Sequence, residues 1–298
     1  MRPARGRNPN DAPLTRLTEA GRSVFSPIRP SKMKKFIRSL GFRLVAGLLL
    51  FFGLYGGTQL AIQSLPAAAQ PTAMLLGGAL LLALYAALFR RWEQRPVGEL
   101  TLGRAPADLL RGAGCGFGMI ALAVGIMAVA GCYRIEAFRF DIGQLLRMIA
   151  WCWIVAVGEE ILFRGILCRM IAAKSRPAAL LVSGLLFGLA HLFNPEASLW
   201  SAVAIAVEAG FMLAAAYLWS GSLWLPIGIH WAWNFGLGYL FGLPVSGDTS
   251  YSWVTATVSG PAWLTGGPFG PENALQTLLL GGLLTAWFLG RPPRKTAD

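Results

Sequence analysis

Two long stretches of this chain contain no charged residue, and they restrict the fold more than any other feature. No Asp, Glu, Lys or Arg occurs between Arg43 and Arg90, and none occurs between Glu208 and Asp248. About 20 consecutive apolar residues are enough to cross a bilayer as a helix. Charged residues make up 13% of the chain, which is roughly half their share in soluble domains. The sequence therefore predicts an all-α, polytopic integral membrane protein and excludes a soluble globular domain.

Hydropathy predicts about eight spans, packed as a transmembrane helical bundle. They cover approximately residues 43–64, 72–89, 110–131, 145–170, 178–193, 198–219, 222–241 and 273–290. The transmembrane domain thus extends over residues 43–290, between a basic, disordered tail at 1–42 and a short basic tail at 291–298. A long loop rich in Gly, Pro and Thr is expected at 243–271. In the third span two overlapping GxxxG pairs predict close helix packing: Gly112, Gly114, Gly116 and Gly118.

The positive charge is distributed as expected for a membrane protein. Of the 26 Lys and Arg residues, 11 lie between Arg2 and Arg43. Most others form three clusters: Arg90, Arg91, Arg95, Arg104 and Arg111; Arg169, Lys174 and Arg176; Arg291, Arg294 and Lys295. All four clusters fall on one side of the eight-span arrangement, which predicts that both termini are cytoplasmic. We expect this basic face to contact anionic lipid, not nucleic acid. The Ala-, Gly- and Arg-rich composition favours a bacterial plasma membrane.

Ionisable side chains inside spans are costly and therefore indicate function. They are Arg147, Glu159, Glu160, Arg164, His191, Glu208 and His230. Glu160 and Arg164 are four residues apart on one helix, which predicts an ion pair between them. Glu159 is rotated about 100° from Glu160, so it can face a different neighbour and act as a general base. A purely structural ion-pair cluster is the alternative for this segment.

The only two histidines of the chain both fall in predicted spans. Phe187 precedes His191 by one helical turn, and His230 shares a helix face with Asn234. A lone intramembrane histidine is often only a hydrogen-bond partner between helices. Polar groups on three spans at similar depth favour an assembled site instead. Peptide hydrolysis needs a base that activates water and donors that hold an oxyanion, and these side chains supply both.

Three motifs carry a resemblance to a known family. They are Glu159-Glu160-x-x-x-Arg164, Phe187-x-x-x-His191 and His230-x-x-x-Asn234. In their order and in their placement on three spans, the motifs resemble those of the CAAX-protease and bacteriocin-processing family of intramembrane glutamic endopeptidases. The similarity covers residues 145–240, which would be the motif core of a protease domain at 43–290.

The resemblance implies a role for each motif residue. Glu159 would be the catalytic glutamate and His191 its partner in activating water, while His230 and Asn234 would form the oxyanion site. Three residues would support them: Glu160, Arg164 and Phe187. The substrate would be a membrane-associated peptide or protein. No cofactor and no metal are expected.

Three other functions stay open from the sequence. One is a catalytically silent membrane scaffold or regulator of the same fold. Another is a zinc-dependent membrane protease, because Glu159, Glu160, His191 and His230 have the chemistry of zinc ligands. The third is a transporter that relays protons, although the chain has no visible internal repeat. None of the motifs assigns a role to Glu208.

Overall fold

The computed structural model describes residues 39–294, and this part of the chain is a helical bundle with one small sheet. The α-helices are α1 Leu40–Gln63, α2 Gln70–Glu93, α3 Ala105–Val129, α4 Ile142–Glu160, α5 Arg169–Ala172, α6 Arg176–Ala190, α7 Leu199–Ile205, α8 Met212–Ser220, α9 Trp224–Asn234, α10 Ala262–Thr265 and α11 Leu275–Leu289. Short 3-10 turns occur at Gly98–Leu100, Leu102–Arg104, His191–Phe193, Gly267–Phe269 and Pro271–Asn273. The prediction of an all-α polytopic membrane protein is confirmed. Of the predicted disordered tail, residues 1–38 lie outside the described part, and α1 begins at Leu40.

A helix lies at each of the eight predicted spans, but the number of spans is approximate. Five helices are long and apolar enough to cross a membrane by length and composition: Leu40–Gln63, Gln70–Glu93, Leu102–Val129, Arg176–Phe193 and Leu199–Ser220. The last helix, Leu275–Leu289, is apolar but shorter. The helices that carry Glu159 and His230 are not among the five.

Three helices of the described chain change to π-helical geometry. These segments follow α4, α7 and α9, at Ile161–Cys168, Ala206–Phe211 and Phe235–Leu240. A π-helical turn adds one residue to the hydrogen-bonded ring and is often found at functional sites. The first and third begin directly after Glu160 and Asn234, and the second contains Glu208. All three therefore adjoin polar residues that the sequence singles out.

The segment predicted as a long loop contains a strand that sequence patterning missed. Strand β2, Val254–Val258, pairs antiparallel with β1, Tyr133–Phe138, which lies between α3 and α4. The register places Tyr133 opposite Val258, with an irregularity between Ile135 and Ala137. β-Branched residues dominate β2, which favours an extended backbone. The sheet ties the start of α4 to the segment after α9.

Helices α3 and α9 pack through glycines, as one of the two GxxxG pairs predicts. A Cβ atom on Gly112 would lie 2.4 Å from the Leu225 carbonyl oxygen, and one on Gly116 would lie 2.5 Å from that of Ile229. A Cβ atom on Gly114, by contrast, would meet no neighbouring atom within 4 Å. Only the first pair therefore forms the close contact. It holds α9 at a fixed depth beside α3.

Candidate active site

The Glu160–Arg164 ion pair lies at the centre of the bundle, with both side chains fully buried. Arg164 Nη1 donates to Glu160 Oε1 at 2.9 Å. Arg164 Nη2 donates to the Gly210 carbonyl at 3.1 Å, and the guanidinium lies 4.4 Å from the centre of the Phe187 ring. A buried guanidinium needs this many partners because desolvation of its charge is expensive. The pair thus joins α4 to the segment after α7 and to α6.

His230 lies between the two adjacent glutamates. Its Nδ1 is 3.0 Å from Glu160 Oε1, and its Nε2 is 3.9 Å from Glu159 Oε2. Both carboxyl groups face this ring, but only Glu160 also contacts Arg164, so the two glutamates share one neighbour and differ in the other. An imidazole presents its two nitrogens in different directions, so adjacent side chains of one helix can each reach one of them. Glu159 Oε2 has no hydrogen-bond partner among the described residues.

His191 terminates α6 and begins a 3-10 turn, so it lies at a helix end and not in mid-span. The helix ends there because Pro195 follows shortly, and Asn194 before it adopts the extended conformation that a following proline favours. The Nδ1 of His191 lies 2.8 Å from the Phe187 carbonyl oxygen. A carbonyl can only accept, so Nδ1 carries the proton. Nε2 is then left as an acceptor.

A single cavity of about 240 Å³ brings four of the predicted site residues together. Its wall includes Glu159 from α4, His191 from the end of α6, and His230 and Asn234 from α9. Phe187 lines it too, whereas Glu160 and Arg164 lie behind the wall and do not. The side chain of Glu159 is 22% exposed, and Asn234 is buried at the cavity surface. The structure thus gathers the residues that the three motifs place far apart in sequence.

Neighbouring helices hold α9 in the orientation that presents its polar residues. Trp231 Nε1 donates to the Ile149 carbonyl of α4 at 3.1 Å. The Trp231 ring stacks on Phe235 with an interplanar angle of 6°. These contacts lie on the side of α9 towards α4, while the glycine contact with α3 lies on another side. Rotation of α9 is therefore restricted, and with it the direction of His230 and Asn234.

No group of three or more His, Cys, Asp or Glu side chains within residues 39–294 is arranged to hold a metal ion. Glu160, one of the four candidate ligands, is already bound to Arg164 and to His230. A cation next to that guanidinium would be repelled.

One family model matches the segment that carries this geometry. Residues 141–236 match the Rce1-like family, described as type II CAAX prenyl endopeptidase Rce1-like. The match is a similarity to this family over about a third of the chain. The family predicted from the three motifs is confirmed, and the chain is an integral membrane protein. No curated protein and no solved structure shows a significant match.

Part of the cavity wall lies outside the Rce1-like segment and was missed by sequence reasoning. Tyr55 and Gln59 of α1 line it, as do Asp248 and Glu272 from the region after α9. Tyr55 also packs against the backbone at Gly158, next to Glu159. No motif contains these residues. For Glu272 the available signal was an acidic residue at the edge of an apolar span.

Proposed function

We propose that this Rce1-like protein is an intramembrane endopeptidase of the glutamic type. The observation that carries the proposal is the shared cavity, lined by Glu159, His191, His230 and Asn234. It holds a carboxylate with an unpartnered oxygen, an imidazole nitrogen free to accept, and two further polar side chains. General acid–base hydrolysis of a peptide bond needs these groups together.

In the proposed mechanism Glu159 and His191 activate a water molecule. The Glu159 carboxylate removes a proton from the water, and His191 Nε2 accepts a hydrogen bond that orients the water. The water oxygen forms a bond with the carbonyl carbon of the substrate. Glu159 then returns the proton to the peptide nitrogen as the C–N bond breaks. The acid and amine products then dissociate, and the Glu159 carboxylate is regenerated.

His230 and Asn234 are proposed to stabilise the oxyanion of the tetrahedral intermediate. Both lie on α9, four residues apart and on one face. Asn234 donates through its amide group. In its imidazolium form His230 has a carboxylate beside each ring nitrogen. Its Nε2–H can turn from Glu159 to the oxyanion once Glu159 has taken up the proton of the water. Such donors are strongest where water is excluded.

Glu160, Arg164 and Phe187 are proposed as positioning residues. Glu160 accepts from His230 Nδ1, so it sets which imidazole nitrogen faces Glu159. Arg164 holds Glu160, and Phe187 contacts both Arg164 and the ring of His230. Removal of any of the three is therefore expected to misorient His230.

The substrate is proposed to be a membrane-associated peptide or protein, because the cavity is built from helices of the bundle. We further propose a bacterial plasma membrane with both termini in the cytoplasm. The basic clusters of the cytoplasmic face would then contact anionic lipid headgroups, since each Lys or Arg near such a surface is attracted to it.

The test is cleavage of a panel of fluorogenic lipopeptides by the purified protein in detergent. We expect cleavage by the wild type, a loss of about 10²–10⁴-fold in kcat for Glu159→Gln, and no loss for the exposed control Glu136→Gln. Cleavage should persist with a chelator present. Loss on chelation that zinc restores would replace the proposal with a metalloprotease. If the folded wild type cleaves no peptide of the panel, the catalytically silent scaffold is the better interpretation.

A further inference from the structure

Glu208 is a buried carboxyl group that the proposed mechanism does not use. It lies in the π-helical segment Ala206–Phe211 and is 1% exposed. Its Oε1 has no hydrogen-bond partner among residues 39–294. The side chain lines the same cavity as Glu159 and His191. Buried polar atoms are nearly always paired, so an unpaired oxygen on a side chain that lines a cavity indicates a partner that arrives with a ligand.

Glu272 lines the same cavity as Glu208 and differs from it in that both of its carboxyl oxygens accept hydrogen bonds. Oε1 accepts from Trp233 Nε1 at 3.0 Å, and Oε2 accepts from the backbone N–H of Ser246. A carboxyl group that only accepts is using the hydrogen-bonding pattern of the ionised form. Glu272 therefore has no oxygen free for a further donor, whereas Oε1 of Glu208 has no partner in the described part of the chain.

The cavity as a whole carries an excess of acidic groups. Its wall includes four acidic side chains: Glu159, Glu208, Asp248 and Glu272. No Lys or Arg of the described chain lines it, and its only basic side chains are His191 and His230. Both histidines belong to the proposed catalytic machinery. An excess of acidic over basic side chains in a cleft favours a ligand of positive charge.

We infer that Glu208, in a cavity wall that also contains Glu272, forms a subsite for a cationic side chain of the substrate, such as lysine or arginine. This inference rests on the proposed function, since the subsite lies in the proposed catalytic cavity. An ammonium or guanidinium would complete the hydrogen bonding of Glu208 Oε1. The resulting charge-assisted bond is stronger than a neutral one, and the low dielectric of the site strengthens it further.

The subsite is tested by binding, so that the outcome does not depend on hydrolysis. The probes are fluorescein-labelled, N-palmitoylated ten-residue peptides that carry a single lysine, or norleucine as its uncharged counterpart, at each position in turn. Binding is measured by fluorescence anisotropy to the Glu159→Gln protein and to Glu159→Gln/Glu208→Gln. We expect lysine at one position to bind about tenfold more tightly than norleucine. Glu208→Gln should abolish this difference without changing norleucine binding.

Two results overturn the inference: no position at which lysine is preferred, or a preference that survives Glu208→Gln. Equal thermal unfolding temperatures of the two proteins show that a lost preference is not lost folding. The same peptides are then offered to the wild type for cleavage. Lysine-dependent binding without any cleavage would refute the proposed endopeptidase while the subsite stands. Cleavage without lysine-dependent binding would refute the subsite alone.

Discussion

The Nδ1 atom of His230 lies 3.0 Å from Oε1 of Glu160, although 70 residues separate them in the chain. The same oxygen accepts from Arg164 at 2.9 Å. Glu160 is thereby the point at which two of the sequence motifs meet. Its neighbour Glu159 makes no hydrogen bond at Oε2 within the described residues. The proposed mechanism accordingly gives the two adjacent glutamates different roles, positioning for Glu160 and catalysis for Glu159.

Loss of the buried arginine should destabilise the bundle strongly. Arg164→Met leaves Glu160 buried without its main counter-charge, which we expect to lower the free energy of unfolding by about 3–5 kcal/mol. Unfolding in mixed micelles by a denaturing detergent, followed by circular dichroism, measures the change. Glu160→Gln/Arg164→Met should recover part of the loss. The control is the exposed ion pair between Arg134 and Glu136, where Arg134→Met should have little effect. An Arg164→Met protein as stable as the wild type would contradict this account.

Asn234→Ala should affect the chemical step and not substrate binding. An oxyanion donor acts mainly in the transition state, so we expect kcat to fall about 10²–10³-fold while KM stays near the wild-type value. The measurement is a steady-state titration with the best peptide of the panel. Gln63→Ala, at an exposed position, is the control. A rise in KM with unchanged kcat would instead assign Asn234 to substrate binding.

The glycine contact between α3 and α9 offers a matched pair of variants. Gly112→Ala places a Cβ 2.4 Å from the Leu225 carbonyl oxygen, and such overpacking costs typically about 1–3 kcal/mol. Gly114→Ala, two residues away, meets nothing within 4 Å. There alanine should be neutral or stabilising by about 0.5–1 kcal/mol. Unfolding midpoints of the two variants decide the matter, and equal midpoints would contradict the packing seen here.

Acid should weaken one contact outside the spans. Burial acts to raise the pKa of Glu99, but hydrogen bonds from Arg95 and Tyr85 outweigh it and hold the pKa below its ordinary value of 4.5. A lowered carboxyl pKa contributes stability that is complete above pH 4.5 and is lost as the pH falls through the lowered value.

The stability advantage of the wild type over Glu99→Gln should therefore shrink as the pH is lowered below 4.5. Unfolding midpoints measured between about pH 3 and pH 7 test this, because that range spans the ordinary carboxyl pKa. Glu196→Gln, at an exposed position, is the control. A difference between wild type and Glu99→Gln that is independent of pH would rule out the titration of Glu99 as its cause.

Some of the site followed directly from spacing along single helices. The pairing of Glu160 with Arg164 and the common face of His230 and Asn234 are consequences of helical periodicity, and the structure contains both relationships. Other parts did not follow. Strand β2 lies in a segment expected to be irregular, because a single short strand becomes stable only when a partner such as β1 is present.

The sequence by itself determined that this chain crosses a membrane, and which helices carry the polar motifs. Hydropathy and helical periodicity are local properties, and they need no knowledge of neighbouring helices. Only the tertiary structure decided that Glu159 and Glu160 face one imidazole, that α1 contributes to the cavity, and that Glu208 and Glu272 line it together. These contacts depend on how helices cross and rotate against each other, and that is settled by the packing of side chains from distant parts of the chain.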